Sequence, residues 1–171
     1  MGPPIVVLMM GVAGAGKTTV GSELAAALGF AFRDADEFHS PANVEKMRRG
    51  EQLDDRDREP WLQAMAAAID EWLRDGRKVV LACSALKARY RAILLRDPAR
   101  MRIVYLKISP DLARERVAQR TDHFMPQGLV ESQFEALEEP FDYAHGKPDS
   151  AITVDASLPP EDIVRTIARA L

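Results

Sequence analysis

GVAGAGKT, Gly11 to Thr18, puts three glycines, a lysine and a hydroxyl into eight residues. That pattern suits a polyphosphate: glycines let backbone N–H groups converge on a β-phosphate, and the start of a helix adds positive potential there. Gly11, Gly14, Ala15, Gly16, Lys17, Thr18 and Thr19 are therefore candidate nucleotide contacts. Lys17 would bridge the β- and γ-phosphates, and Thr18 would supply an oxygen to Mg²⁺. A Gly-rich turn that binds nothing is the alternative, but residue frequencies produce this pattern by chance in a chain of this length only about 1% of the time.

A phosphoryl transferase must also hold an acceptor hydroxyl in line with the γ-phosphate. The stretch that follows, DADEFHSPANVEKMRRGEQLDDRDREPW, is dense in charge. Asp34 and Asp36 end a predicted strand two residues apart, so their side chains should point the same way, toward the edge where α/β sheets bind ligands. One could orient a metal-bound water while the other accepts the hydroxyl proton; solvated turn aspartates are the alternative. His39 follows in the same turn, as a ligand or as a packing residue. Lys46 and Arg49, three apart on a short predicted helix, could receive an anion or form a solvated basic face. Asp54, Asp55 and Asp57 suit the approach to a helix whose first turn holds Pro60.

After the third predicted strand, ACSALKARYR has Ser84 where many such folds carry a metal-binding Asp, which shifts weight to Thr18 and the aspartate pair. Lys87 and Arg91, four apart on a predicted helix over 86–95, should share a face, with Leu86, Tyr90, Ile93 and Leu94 as its apolar stripe. Farther along, RERVAQRTDHFMP sets Arg116 and Arg120 one helical turn apart, before a break and Pro126. Arginines on a mobile lid over about 116–127 would neutralise charge on a transferring phosphoryl group, and closure would exclude water.

The elements that must position these residues alternate along the chain. Apolar runs PIVVLMM, AFRD, KVVLAC, RIVYLKI and AITV are separated by helix-period segments at 16–28, 41–49, 58–74, 86–95, 110–119, 127–137 and 160–170. That order predicts an α/β fold, a parallel sheet with helices on both faces. Ser40-Pro41 and Ser109-Pro110 read as helix starts, while Gly29, Gly50 and Gly76 read as helix ends. No repeat or linker interrupts the series, so residues 1–171 read as one domain, with an acceptor-binding region at about 34–62.

Composition narrows the function further. With 47% hydrophobic and 29% charged residues, the 171-residue chain can bury its own core. A net charge of −3 supplies no field for a nucleic acid or an anionic membrane. The apolar run IVVLMM is far too short to span a bilayer. A single Cys83 excludes an internal disulfide and fits a reducing cytoplasm. No NKxD segment for reading guanine is present.

Taken together, residues 34–62, 82–91 and 123–140 resemble the acceptor and lid signatures of the gluconate kinase family, P-loop kinases related to shikimate kinase with the nucleoside monophosphate kinase fold. The resemblance spans nearly the whole chain. It implies ATP and Mg²⁺ as cofactors and D-gluconate as acceptor, with Lys17, Asp36, Arg116 and Arg120 catalytic. Asp36 would hold gluconate and take its 6-hydroxyl proton, Asp34 would join Thr18 at the metal, and Arg116 and Arg120 would lie on ATP. His39, Arg58, Lys87, Arg91, His123 and Gln133 would be contacts to the sugar acid, and a homodimer is implied. Asp122 stands where the family often has glycine, and Gln52 where it often has proline. The rivals are a kinase for another small acceptor, such as shikimate, and a non-catalytic nucleotide switch. Against shikimate, Cys83-Ser84-Ala85 replaces an expected glycine triplet.

Overall fold

The computed structural model of the chain describes residues 2–120, 128–142, 147–148 and 151–171. Its centre is a parallel five-stranded sheet built from β1 (Val6–Met10), β2 (Ala31–Asp34), β3 (Val79–Ala82), β4 (Met101–Lys107) and a later strand, Ile152–Asp155. Between β4 and that last strand, the two-residue strands β5 (Phe141–Asp142) and β6 (Lys147–Pro148) pair antiparallel, so the last strand is β7. The sheet order is β2-β3-β1-β4-β7, with every neighbour parallel. β1 has no exposed residue because it is covered on both faces, which explains why VVLMM shows no alternation.

Crossover helices make the two outer layers. α1 (Lys17–Leu28) and α7 (Pro160–Ala170) pack against each other on one face. α3 (Asp55–Asp75) and α4 (Ala88–Leu94) cover the other. α2 (Pro41–Arg48), α5 (Pro110–Ala118) and α6 (Leu129–Ala136) lie around the carboxyl edge of the sheet. Among the described residues, no helix is long and apolar enough to cross a membrane.

α3 shows how sequence sets the layer. Trp61, Met65, Ile69 and Trp72 recur at helical spacing and are all buried against the sheet. Truncating one of them, Met65→Ala, should cost about 2–5 kcal/mol through lost burial and the cavity left behind. The helix starts earlier than Pro60 suggests. Asp54 and Asp57 cap it reciprocally, the Asp57 N–H donating to Asp54 Oδ1 at 2.8 Å and the Asp54 N–H to Asp57 Oδ2 at 3.0 Å. Pro60 therefore sits inside the helix, not in its first turn. Gly76 ends it with φ 66°, the left-handed cap expected there.

The first crossover carries the chain from β1 past β3 to β2, whereas β4 lies on the other side of β1. A crevice opens at the carboxyl end of β1 where the winding reverses, and the glycine loop follows directly from that strand.

Candidate active site

A cleft of about 560 Å³ occupies that crevice. Its floor is the glycine loop. Gly14 and Gly16 have φ of 85° and 91°, and a Cβ on Gly14 would meet the Ala113 carbonyl at 2.8 Å, so both backbone shape and the approach of α5 require glycine there. Gly14, Gly16, Lys17 and Thr18 line the cleft. Gly11 and Ala15 are buried beneath it, and Thr19 is exposed on the first turn of α1.

Lys17 Nζ donates to the carbonyls of Gly11 at 2.8 Å and Val12 at 3.1 Å, arching across the loop. Burial holds its ammonium down to about 8, and the nearby Arg120 pushes the same way, against the opposing influence of Cys83 and then of Asp36 and Asp34. Desolvation outweighs these neighbours, and the negative charge of a polyphosphate would favour the ammonium. In the cleft lining, burial pushes the Cys83 thiol up to about 12, which leaves it an inert packing group.

Thr18 Oγ1 lies 3.4 Å from Asp34 Oδ2. These are two hard oxygens at the mouth of the phosphate loop, a donor set that suits Mg²⁺, which keeps most of its waters and takes few protein ligands. Among the described residues, no group of three or more His, Cys, Asp or Glu is disposed to hold a metal.

Asp34 and Asp36 are not two positions of one strand. β2 ends at Asp34, and residues Ala35–Phe38 form a 3₁₀ turn that Asp34 caps. Asp34 Oδ1 accepts from the Asp36 N–H at 3.0 Å, and the Asp34 N–H donates to Glu37 Oε1 at 3.1 Å. The turn still brings both carboxylates to the cleft, through tighter winding instead of strand alternation.

The acceptor wall is more heavily cross-linked than its charge suggests. Lys46 pairs with Asp57 at 2.7 Å and Arg49 with Glu51 at 3.1 Å, and neither cation lines the cleft. His39 stacks on Trp61, ring centroids 4.5 Å apart and nearly parallel, and Trp61 Nε1 donates to the Ala35 carbonyl at 2.7 Å. Burial, and then the charge of Arg58, lowers the His39 pKa and favours a neutral ring at the cleft wall. Arg58 also lines the cleft. Trp61 is the residue that sequence reasoning missed: it belongs to the buried core and also lines the cleft.

Lys87 reaches the cleft with Nζ 3.3 Å from Asp55 Oδ1, a carboxylate that Tyr90 OH and Arg89 also engage. These donors, Tyr90 first, hold the Asp55 carboxyl down to about 2. Arg91 departs from the expectation. α4 begins at Ala88, with Lys87 in extended conformation as its cap, so the four-residue spacing does not put the two cations on one face. Arg91 is 3% exposed and does not line the cleft; its guanidinium donates to the carbonyls of Ala85, Leu86 and Glu138 at 2.9, 3.0 and 2.9 Å. Ala85 itself has φ 45°, a left-handed conformation that costs a residue with a Cβ about 1–3 kcal/mol.

The two arginines near the end of α5 also part company. Arg120 lines the cleft, whereas Arg116 bridges the phosphate loop and the loop after β7, donating to Gly14 O at 3.3 Å and Ala156 O at 2.8 Å. Gln133 on α6 accepts the Ala13 N–H at 2.6 Å and lines the cleft beside the phosphate loop. His123 and the rest of the expected lid beyond Arg120, 121–127, lie outside the described residues.

Sheet order, glycine loop and facing acids define a P-loop kinase fold. A family model described as an AAA domain matches residues 6–143. A probable gluconokinase of Mus musculus is 44% identical over 193 aligned positions, covering 100% of both chains. The crystal structure of a gluconokinase from Sinorhizobium meliloti superposes with a TM-score of 0.81 at 40% identity, covering 98% of this chain and 93% of that one. A shikimate kinase from Acinetobacter baumannii shares the fold at TM-score 0.61 and 20% identity, over 98% of this chain and 92% of that one. The chain belongs to the gluconokinase family.

Proposed function

We propose that this chain transfers the γ-phosphoryl group of ATP to the 6-hydroxyl of D-gluconate, giving 6-phosphogluconate and ADP. The observation that carries the reading is the juxtaposition of a phosphate loop with Asp36 across one cleft, whose far wall presents Arg58, His39 and Lys87 to a polyhydroxylated carboxylate. A shikimate reading lacks the glycine-built turn after β3, since Ala85 must be held in its left-handed conformation.

The residues divide the work. Backbone N–H groups of the loop hold the β-phosphate, and Lys17 gives up its two carbonyls to bridge the β- and γ-phosphates. Thr18 and Asp34 would hold Mg²⁺, which would supply charge neutralisation to the transferring phosphoryl group. Asp36 accepts the acceptor's hydroxyl proton, and Arg120 stabilises charge as it moves onto the leaving oxygen. Arg116, tied to Gly14 of the phosphate loop and to Ala156, supports the ATP site. Gln133 orients the loop through Ala13 and is not required to touch the sugar. The reading takes residues 1–171 as one kinase domain, working in the cytoplasm on small molecules, and a homodimer is its expected assembly.

The test is ADP release by the purified protein with ATP and Mg²⁺, offering D-gluconate, shikimate, glucose, AMP or no acceptor. Release with gluconate alone supports the reading. Release with another acceptor leaves a kinase of different substrate, and silence with all of them, despite ATP binding, leaves a nucleotide switch.

A further inference from the structure

One short stretch joins the two halves of the cleft. At one end, α6 places Gln133 Oε1 on the N–H of Ala13 in the phosphate loop, 2.6 Å away. At the other, just past the helix, Glu138 meets the turn between β3 and α4, and α4 itself, at three points. Its N–H donates to Leu86 O at 2.8 Å, its carbonyl accepts from Arg91 Nη2 at 2.9 Å, and its Oε2 accepts from the Ala88 N–H at 3.0 Å. The cap residue of α4, Lys87, makes no side-chain capping bond. Glu138 therefore caps α4 from fifty positions away in the chain.

The turn it grips holds the one residue other than glycine with positive φ among the described residues, Ala85 at 45°. Left alone, a residue with a Cβ leaves that conformation, because the Cβ crowds its own backbone. Arg91 opposes this by donating Nη1 to the carbonyl of Ala85 itself, at 2.9 Å, and to that of Leu86, at 3.0 Å. Ser84, Leu86 and Lys87, on either side of Ala85, line the cleft.

We propose that Arg91 and Glu138 are positioning residues that hold the Ala85 turn left-handed, so that α6 sets the acceptor wall at Leu86 and Lys87 in register with the phosphate loop. Arg91 thus acts on the acceptor without touching it. The proposal rests on the gluconokinase reading for the identity of that acceptor.

Its test is a cycle of Arg91→Lys, Ala85→Gly and the double variant, with kcat and KM for gluconate and for ATP, and with hydrogen exchange at the Ala88 and Glu138 amides. Lysine carries its donors on one nitrogen and lacks the fork with which Arg91 reaches Ala85 and Leu86 through Nη1 and Glu138 through Nη2, whereas glycine adopts φ near 45° without strain. Arg91→Lys should raise the gluconate KM about tenfold, leave the ATP KM within about twofold and speed exchange at both amides. Ala85→Gly alone should change little, and in the Arg91→Lys background it should recover several-fold of the gluconate loss and part of the protection. A loss that Ala85→Gly does not relieve would make Arg91 a direct contact and overturn the proposal. Equal losses for both substrates would overturn it as well, since they report general loosening. Should Arg91→Lys fail to fold, Glu138→Ala keeps both backbone bonds and removes only the cap; unchanged exchange at Ala88 and an unchanged gluconate KM there would contradict the brace. A wild-type protein that turns over no gluconate would contradict the functional reading, while the exchange arm still decides the brace.

Discussion

The two walls of the cleft are built on different principles. The phosphate wall is mostly backbone: glycines at φ 85° and 91° and N–H groups at the start of α1. The acceptor wall is made largely of side chains that already have partners, Lys87 on Asp55 and His39 on Trp61. A backbone site is fixed by local sequence and presents one geometry to every nucleotide. A side-chain site must exchange internal partners for substrate, so its specificity lies in which of those pairings a sugar acid can displace.

That contrast predicts a ranking of effects. Lys17→Met should lower kcat/KM for ATP by about 10³-fold, as for loss of one preorganised charge on the transferring group. Arg120→Ala should cost about 10²-fold in kcat, read with saturating substrates, whereas Arg116→Ala should act chiefly on the ATP KM because its guanidinium lies between Gly14 and Ala156. Lys87→Met should raise the gluconate KM about tenfold with kcat and the ATP KM little changed; an effect on ATP of the same size would erase the distinction between the walls.

A pH effect sharpens the same comparison. Lys17 titrates near 8 in the free protein, so above that pH the resting site loses its charge, and ATP must draw a proton back onto it. Calorimetry in buffers of different ionisation enthalpy should show proton uptake on ATP binding at pH 8.5, declining toward pH 7, and none for Lys17→Met. Because the folded pKa is lowered, the unfolded chain binds more protons between about 8 and 10.5, and this group's contribution makes stability rise with pH over that window. The smallest effect belongs to the exposed pair of Arg49 and Glu51: Arg49→Ala should leave both KM values within about twofold.

How much of this was legible in sequence follows the same division. The strand-helix alternation and the phosphate loop could be read because each depends on contiguous residues with a fixed period. Asp34 and Asp36 were correctly sent to the cleft by an incorrect geometry: the strand period stops at Asp34, where the capping bonds of Glu37 start a 3₁₀ turn. Lys87 and Arg91 were assigned one face because a helix was extended backward over Lys87. The true start at Ala88 is set by Glu138, fifty residues away, which no local pattern announces. Arg91 misled for a related reason, since a cation near an anion site and a cation tying down carbonyls look alike until the fold shows that it is buried.

Asp36 is the one group assigned to the proton of the acceptor. The most direct test is single-turnover transfer from ATP to gluconate by wild type and Asp36→Asn, with binding of both substrates measured alongside. The account predicts that Asp36→Asn binds ATP within about threefold of wild type and still binds gluconate, while transfer slows about 10²- to 10⁴-fold, as expected for a lost general base. Transfer within about threefold of wild type would show that another group takes the proton, and would contradict the assignment on which the acceptor wall is read.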